Sequence, residues 1–225
     1  MLFRSLDALE RSRARILALE EEVRSPLALG KGREIDLRGR FDRVVRGGDG
    51  TIVVTDYKTS GNLDERVRLA NALKGQHLQI QLYVLLAEAL APAWNAAGAR
   101  VEAEILGVSP EFTLETGATL PPEPGDQHPG RAALDAQGLR DCRGAFLETL
   151  EVLVDLASAG NFPLHAGPWC RYCPFTRACR REHTPTLNRL EAAAPLRDYA
   201  ALARKSTKRP FLADAVDSVD EDGGP

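Results

Sequence analysis

Residues 39–58 read GRFDRVVRGGDGTIVVTDYK, and this stretch decides the fold class. The turn signal Gly47-Gly-Asp-Gly50 separates two runs of strand-forming residues, the second of them rich in β-branched side chains. Apolar and charged residues alternate back to Arg33, so the first strand extends from there to Arg46. The stretch therefore predicts an antiparallel hairpin whose second strand runs from Thr51 to Lys58.

The predicted hairpin brings two carboxylates together. With the turn centred on Asp49, opposed residue numbers add up to twice 49, so Asp42 faces Asp56 and Arg40 faces Lys58. Opposed Cβ atoms lie about 4.5–5.5 Å apart, and like charges at that separation repel. A bound cation or a proton relieves the repulsion, and a hard ion such as Mg²⁺ suits oxygen ligands.

Lys58 is predicted to share a face with Asp56, about 7 Å along the strand. At that position an ammonium group can orient a nucleophilic water or stabilise negative charge on a phosphate. An alternative stays open at this stage, because a turn of this length can shift register by one residue. In that alternative the hairpin lies on the surface, Asp42 pairs with Arg43 or Arg40, and Lys58 is solvated.

The rest of the chain reads as a mixed α/β body followed by a polar tail. We predict helices over Leu2–Val23, Asp64–Ala91 (broken near Gly75) and Leu139–Ala159, a strand over Arg100–Val108, and a Pro/Gly-rich loop over 121–130. Residues 1–183 would form one domain, with a cysteine-rich segment at 161–183. Residues 184–225 would form a helical extension and an acidic disordered tail.

Composition excludes several classes of protein. The 225 residues carry a formal net charge of −3 and 44% hydrophobic residues, which excludes fibrous and globally disordered chains. No apolar run reaches the roughly 18–20 residues of a membrane helix, and the N-terminus lacks the pattern of a secretory signal. We therefore expect a cytoplasmic protein without membrane contact.

Three cysteines are crowded into ten residues. Cys170, Cys173 and Cys179 have C-x2-C-x5-C spacing, which in a reducing compartment favours metal or cluster ligation over disulfides. Reduced, packed thiols are the alternative. Cys142 lies on an apolar helical stripe typical of a core residue, whereas His183 follows Cys179 and would complete a Cys3His zinc site. The spacing leaves the fourth ligand open.

Four ordered motifs resemble one nuclease family. They are Gly39-Arg-Phe-Asp42-Arg-Val, Asp56-Tyr-Lys58-Thr, Gln79-Ile-Gln-Leu-Tyr83, and Asn161-Phe-Pro followed by the cysteines behind Trp169. Together they resemble the RecB-like branch of the PD-(D/E)XK nuclease superfamily. AddB-type subunits and CRISPR-associated RecB-like exonucleases carry a similar cysteine site. The resemblance runs from about Glu21 to His183.

The resemblance implies a restriction-endonuclease-like core, with a central mixed sheet that carries the catalytic hairpin between helices. It implies a Mg²⁺- or Mn²⁺-dependent DNA nuclease, exonucleolytic on single-stranded ends during repair and recombination. The implied roles are metal ligation by Asp42, Asp56 and the Tyr57 carbonyl, catalysis by Lys58, site shaping by Gln79 and Tyr83, and ligation of an iron–sulfur cluster, 4Fe–4S, by Cys170, Cys173 and Cys179.

Two departures from the family pattern concern the N-terminal side. Members supply a metal-binding histidine and a first cluster cysteine upstream, yet no histidine precedes His77 and no cysteine precedes Cys142. We expect a C-terminal piece of a larger protein or a shortened paralogue, partnered by a helicase subunit or an N-terminal helicase-like region. Alternatively, Glu20, Glu21 or Glu22 completes the metal site, and Cys142 or His183 completes the cysteine site.

Two other functions remain open from the sequence. One is a catalytically incomplete DNA-binding or scaffolding module of a helicase–nuclease complex. The other is an interaction domain stabilised by Zn²⁺.

Overall fold

The computed structural model describes residues 14–30, 32–59, 62–108, 130–163, 168–175, 178–180 and 183–204. The chain divides into two compact units, residues 1–147 and 148–225, which are described separately. The boundary predicted after residue 183 stays a prediction. The tail beyond 204 and all but the last residue of the predicted loop over 121–130 lie outside the described residues.

The first unit is built on a five-stranded mixed sheet of order β1-β2-β3-β4-β5. The strands are β1 Arg15–Ala28, β2 Glu34–Arg46, β3 Ile52–Lys58, β4 Val101–Gly107 and β5 Arg131–Ala133. Neighbours pair antiparallel except β3 and β4, which run parallel. A parallel pair needs a crossover, and helices between β3 and β4 supply it. The predicted mixed α/β class is confirmed.

The hairpin has the predicted register. Arg43 pairs with Thr55 and Val44 with Val54, which is the register of a turn centred on Asp49. Gly50 adopts a φ of 86°, a conformation that glycine takes without a steric penalty. The paired region ends at Arg43, because β2 continues beside β1 while β3 continues beside β4. The strands therefore part just where the two aspartates lie.

The prediction of a helix over Leu2–Val23 is wrong for the residues of this range that the structure describes. Residues 15–28 form β1, an edge strand paired with β2, and residues 1–13 lie outside the described residues. Two apolar residues of the predicted helix, Ile16 and Leu19, are 38% and 56% exposed, whereas Ala18 is buried. Pairing with the next strand, whose partner residues for 15–23 lie in the range 39–46, therefore overrides the local helical pattern.

Three helices connect β3 to β4: α1 Leu63–Val67, α2 Leu69–Ala72 and α3 Gln79–Leu90, with a 3-10 turn over Ala91–Trp94. The Asn62 side chain accepts a hydrogen bond from the Glu65 amide and so caps α1. Gly75 has a φ of 79° in the connection before α3, so the predicted break at this glycine is confirmed. The helix predicted over Leu139–Ala159 is divided by Cys142 into α4 Ala136–Asp141 and α5 Arg143–Ser158.

The core of the first unit lies between α3 and the sheet, since α3 contacts all of the first four strands. Its fully buried members include Phe41, Val44, Ile52, Ile80 and Ile105. The ring of Phe41 meets that of Tyr83 on α3 edge to face, with centroids 5.3 Å apart. This contact fixes the helix over the start of the hairpin.

The second unit contains the end of α5, a 3-10 turn over Pro168–Tyr172, α6 Thr184–Ala192, a 3-10 turn over Ala194–Leu196 and α7 Arg197–Arg204. Its apolar cluster is Leu156, Leu187, Leu196 and Ala200. The helical character predicted after His183 is confirmed. No described helix in either unit combines the length and apolarity that crossing a bilayer requires.

Gly39 allows α3 to approach β2 closely. A Cβ at this position would lie 3.0 Å from Leu86 Cδ1 and 3.1 Å from Tyr83 Cε1. We therefore expect Gly39→Ala to lower the free energy of unfolding by about 1–3 kcal/mol, the usual cost of overpacking. Urea unfolding measures it. Gly144→Ala, on α5 where a Cβ meets open space, is the control and should be neutral or slightly stabilising. Equal stabilities for the two variants would contradict the prediction.

Candidate active site

The site is centred on the carboxylate of Asp56, which is 1% exposed near the end of β3. Lys58 Nζ donates a hydrogen bond to Asp56 Oδ1 at 3.0 Å and forms an ion pair with Oδ2 at 2.7 Å. Gln79 Nε2, from the first turn of α3, also donates to Oδ1 at 3.0 Å. The structure thus brings together three of the residues predicted for the site.

Tyr83 joins this cluster from the next turn of α3. Gln79 Nε2 lies 2.9 Å from the Tyr83 hydroxyl, which donates to the Arg40 carbonyl at 2.6 Å. The i and i+4 spacing places the two side chains on one face of the helix. Tyr83 therefore anchors α3 to the β2 backbone, while Gln79 directs the Asp56 carboxylate.

Asp42 occupies the opening where β2 and β3 part. Its Oδ2 accepts a hydrogen bond from the Tyr57 amide at 2.8 Å, so the carboxylate reaches the backbone next to Asp56. The prediction placed Asp42 and Asp56 opposite each other in the ladder. The ladder between β2 and β3 instead ends one pair earlier, at Arg43 and Thr55. Arg40 likewise lies across from Glu22 on β1 and not across from Lys58.

Burial shifts the pKa of two residues of the site. Burial raises the pKa of Asp56 above its ordinary value, and the nearby Lys58 partly offsets that rise. The negative charge of Asp42 raises this pKa further, whereas Arg66 on α1 lowers it. Burial also raises the pKa of the Tyr83 hydroxyl, which favours its role as a neutral hydrogen-bond donor.

The donor set fits a hard divalent cation. Asp56 Oδ2 is buried, and its 2.7 Å contact with Lys58 Nζ is an ion pair without the geometry of a hydrogen bond, so this oxygen retains lone pairs for a further partner. The Asp42 carboxylate and the Tyr57 carbonyl would add two more oxygens of the kind that Mg²⁺ and Mn²⁺ prefer. Within the described ranges, however, no three His, Cys, Asp or Glu side chains already converge to hold a metal.

The three glutamates weighed as a further ligand lie on β1. Glu20 falls between the pairs Leu19–Arg43 and Glu21–Phe41, which puts it across from Asp42. Its carboxylate pairs with Arg40 at 3.0 Å and is 59% exposed. Both Glu20 and Asp42 raise the pKa of Tyr57, although burial is the largest cause of that rise. Which residue completes the ligand set stays a prediction.

The cysteines lie in both units. Cys142, in the first unit, ends α4 as a half-buried thiol, and burial raises its pKa. Cys170, Cys173 and Cys179, in the second unit, are half-buried and form no disulfide. Phe175, between Cys173 and Cys179 in the sequence, is 70% exposed. The His183 ring lies 2.8 Å from the Thr186 hydroxyl. The iron–sulfur cluster therefore remains a prediction.

Sequence reasoning missed the polar residues behind the hairpin. Thr55 and Glu104 are buried and hydrogen-bonded to each other, with Arg43 and Arg131 in contact. The available signal was a glutamate within the apolar strand Val101–Gly107, since a carboxylate in such a place needs a partner. Arg66 was missed as well, because its proximity to Asp56 arises only from the crossover.

The raised pKa of Asp56 makes a pH-dependent prediction. Because the pKa of Asp56 is higher in the folded protein than in the unfolded chain, folding favours the protonated carboxyl. The free energy of unfolding therefore falls as the pH rises from 3.8 through the pKa of the folded state. In metal-free buffer, Asp56→Asn should therefore be more stable than wild type at neutral pH, and the difference should shrink on acidification. Thermal unfolding across pH 3–8 measures it.

Asp49→Asn is the matched control, from the turn of the same hairpin. Hydrogen bonds donated by Thr51 lower the pKa of Asp49. The ionised Asp49 therefore stabilises the fold above pH 3.8, and this stabilisation is lost on acidification. This variant should be less stable than wild type at neutral pH. The same sign of change in both variants would show that burial does not dominate at Asp56.

Comparison with known proteins identifies the family of the chain. A family model described as the PD-(D/E)XK nuclease superfamily matches residues 1–180, four fifths of the chain. No curated protein matches. Among solved structures, the crystal structure of SSO0001 is 17% identical with a TM-score of 0.38, covering 79% of this chain. The match spans 66% of that protein, slightly under two thirds. With a family model matched over four fifths of its length, this chain belongs to the PD-(D/E)XK nuclease superfamily.

Proposed function

We propose that the chain is a divalent-metal-dependent deoxyribonuclease with its active site at Asp42, Asp56 and Lys58. One observation carries the proposal: the buried carboxylate of Asp56 forms an ion pair with Lys58, keeps one oxygen outside any hydrogen bond from the described residues, and has Asp42 close by. Superfamily membership supports metal-dependent cleavage, and members generally use Mg²⁺ or Mn²⁺.

Each residue has a separate task in this proposal. Asp42, Asp56 and the Tyr57 carbonyl would hold the ion, which when bound polarises a phosphate and lowers the pKa of water. Lys58 places a positive charge where negative charge develops on the phosphate. Gln79 holds Asp56 in one orientation, and Tyr83 fixes Gln79 relative to the β2 backbone.

We further propose that the enzyme is an exonuclease that degrades single-stranded DNA ends during repair or recombination. It would act in the cytoplasm, together with a helicase. The motifs around Asp42, Asp56 and Gln79 support it through their likeness to the RecB-like branch. The companion proposal is a 4Fe–4S cluster on Cys170, Cys173 and Cys179, supported by their spacing and by the absence of a disulfide at these three residues.

The first competing function is a DNA-binding or scaffolding module that does not cleave. It is favoured by one observation, the lack of a third convergent ligand side chain among the described residues. The second is an interaction domain held by Zn²⁺, favoured by His183, which ends the cysteine segment next to α6. Cleavage assays and metal analysis separate the three.

Cleavage should depend on both Lys58 and a divalent ion. We expect Lys58→Ala to lower the rate of single-stranded DNA degradation by about 100- to 1000-fold, because a preorganised charge at the reacting phosphate is lost. EDTA should abolish the reaction. Gel assays with purified full chain measure it, and Asp49→Asn serves as a charge-changing control outside the site.

Wild-type protein that binds DNA but does not cleave it with Mg²⁺ or Mn²⁺ would favour the scaffolding module. Undiminished cleavage by Lys58→Ala would reject the assigned mechanism while leaving nuclease activity in place.

Iron at the cysteine segment should be visible. Protein purified without oxygen should show iron–sulfur absorbance that disappears in Cys173→Ser, since thiolates supply the ligands. Cys142→Ser is the informative companion, because loss of absorbance there would identify the fourth ligand. A colourless preparation with one equivalent of zinc would overturn the cluster and favour His183 as the fourth ligand. A folded, metal-free preparation would leave the cysteines as packing residues.

A further inference from the structure

A chain of polar side chains crosses four neighbouring strands behind the two aspartates. Arg43 Nη2 on β2 donates to the Thr55 hydroxyl on β3 at 3.2 Å, and that hydroxyl donates to Glu104 Oε1 on β4 at 2.9 Å. Arg131 Nε on β5 donates to Glu104 Oε2 at 2.6 Å. This set, Arg43, Thr55, Glu104 and Arg131, is called the cross-sheet network below.

The cross-sheet network is buried enough to hold its geometry. Thr55 is 1% exposed, and the side chains of Arg43, Glu104 and Arg131 are between 9% and 14% exposed. Arg43 Nη2 also lies 3.9 Å from Glu104 Oε1, so both arginines act on one carboxylate. Screening by solvent is weak at this depth, and removal of one partner leaves the others uncompensated.

Each member on the hairpin adjoins a residue of the proposed metal site. Arg43 follows Asp42 on β2, and Thr55 precedes Asp56 on β3. The pair Arg43–Thr55 is also the last one before β2 and β3 part. The network therefore fastens the two strands at the point from which both aspartates project.

Arg43 makes a second contact at this point. Its guanidinium lies 5.6 Å from the centroid of the Tyr57 ring, and the Tyr57 amide donates to Asp42. Arg43 thus contacts both residues that flank Asp56. A small shift of Arg43 along β2 would alter the position of Asp42 relative to the β3 backbone.

We propose that the cross-sheet network is a positioning device that sets the separation of Asp42 and Asp56. It fastens the two strands at the residues next to the carboxylates, so that the carboxylates can stay close despite their mutual repulsion. Ligand oxygens must be held within about 0.5 Å of their working positions, which is why supporting shells matter. The link to metal affinity rests on the proposed function, whereas the link to strand geometry does not.

Four substitutions test the network. Thr55→Val keeps the shape of the side chain and removes the hydroxyl, and Thr55→Ser retains the hydroxyl. Thr51→Val is the matched control, since it removes a hydroxyl–carboxylate hydrogen bond to Asp49 at the turn of the same hairpin. Glu104→Gln is a second probe that removes charge from the middle of the network.

The first readout is metal-free amide hydrogen exchange of the full chain by NMR. Protection of the Tyr57 amide should fall about tenfold or more in Thr55→Val, because its bond to Asp42 depends on the fastening, while protection of the Val54 amide should be retained. Thr55→Ser and Thr51→Val should leave the Tyr57 amide unchanged, and Glu104→Gln should resemble Thr55→Val.

The second readout is Mn²⁺ affinity by calorimetry without DNA. We expect about 10- to 100-fold weaker binding in Thr55→Val and Glu104→Gln, the usual effect of losing an outer-shell partner. The positioning role would be overturned if protection of the Tyr57 amide were unchanged in these variants. It would also be overturned if the Val54 and Tyr57 amides lost protection equally while the Mn²⁺ affinity stayed unchanged. If wild type binds no Mn²⁺, the proposed function fails, and the exchange data still decide whether the network positions Asp42.

Discussion

The buried carboxylate of Asp56 constrains the rest of the first unit, because a charge removed from water must be compensated by nearby groups. Lys58 supplies the compensating charge from two residues along the same strand. Gln79 supplies a directed hydrogen bond from a different element, so α3 must begin where its first turn reaches the end of β3. The position of the helix is in this way tied to one side chain of the sheet.

The close approach of α3 depends on the opposite property, the lack of a side chain at Gly39. Tyr83 and Leu86 occupy the space that a Cβ would take, and the Tyr83 hydroxyl then reaches the Arg40 carbonyl. The sheet and the helix are therefore joined twice, by a polar contact at Asp56 and by close packing at Gly39. Both contacts lie beside the opening where β2 and β3 separate, which keeps that opening rigid.

Sequence patterns within a few residues were enough to predict the β2–β3 hairpin. They failed where a residue's structure depends on contacts with residues far along the chain. The glycine-rich turn and the alternation around it determine the register of β2 and β3, so the approach of Asp42 to Asp56 could be predicted. The i and i+4 spacing of Gln79 and Tyr83 was also readable. Residues 15–23 looked helical because their apolar spacing suits a helix, yet the deciding interaction is pairing with β2, which no local pattern reveals. Glu104 and Arg131 meet Thr55 only through the parallel crossover and the strand after it.

The arginines of the hairpin explain why the site retains negative charge. A surface hairpin would let Asp42 pair with Arg40 or Arg43, and this was the alternative that the sequence left open. In the structure Arg40 pairs with Glu20, while Arg43 contacts Thr55, Glu104 and the Tyr57 ring. Lys58 pairs with Asp56 and contributes one positive charge against the two aspartates. The two hairpin arginines are thus directed to other acceptors, and the negative charge on the oxygens of the two aspartates is what a divalent cation would neutralise.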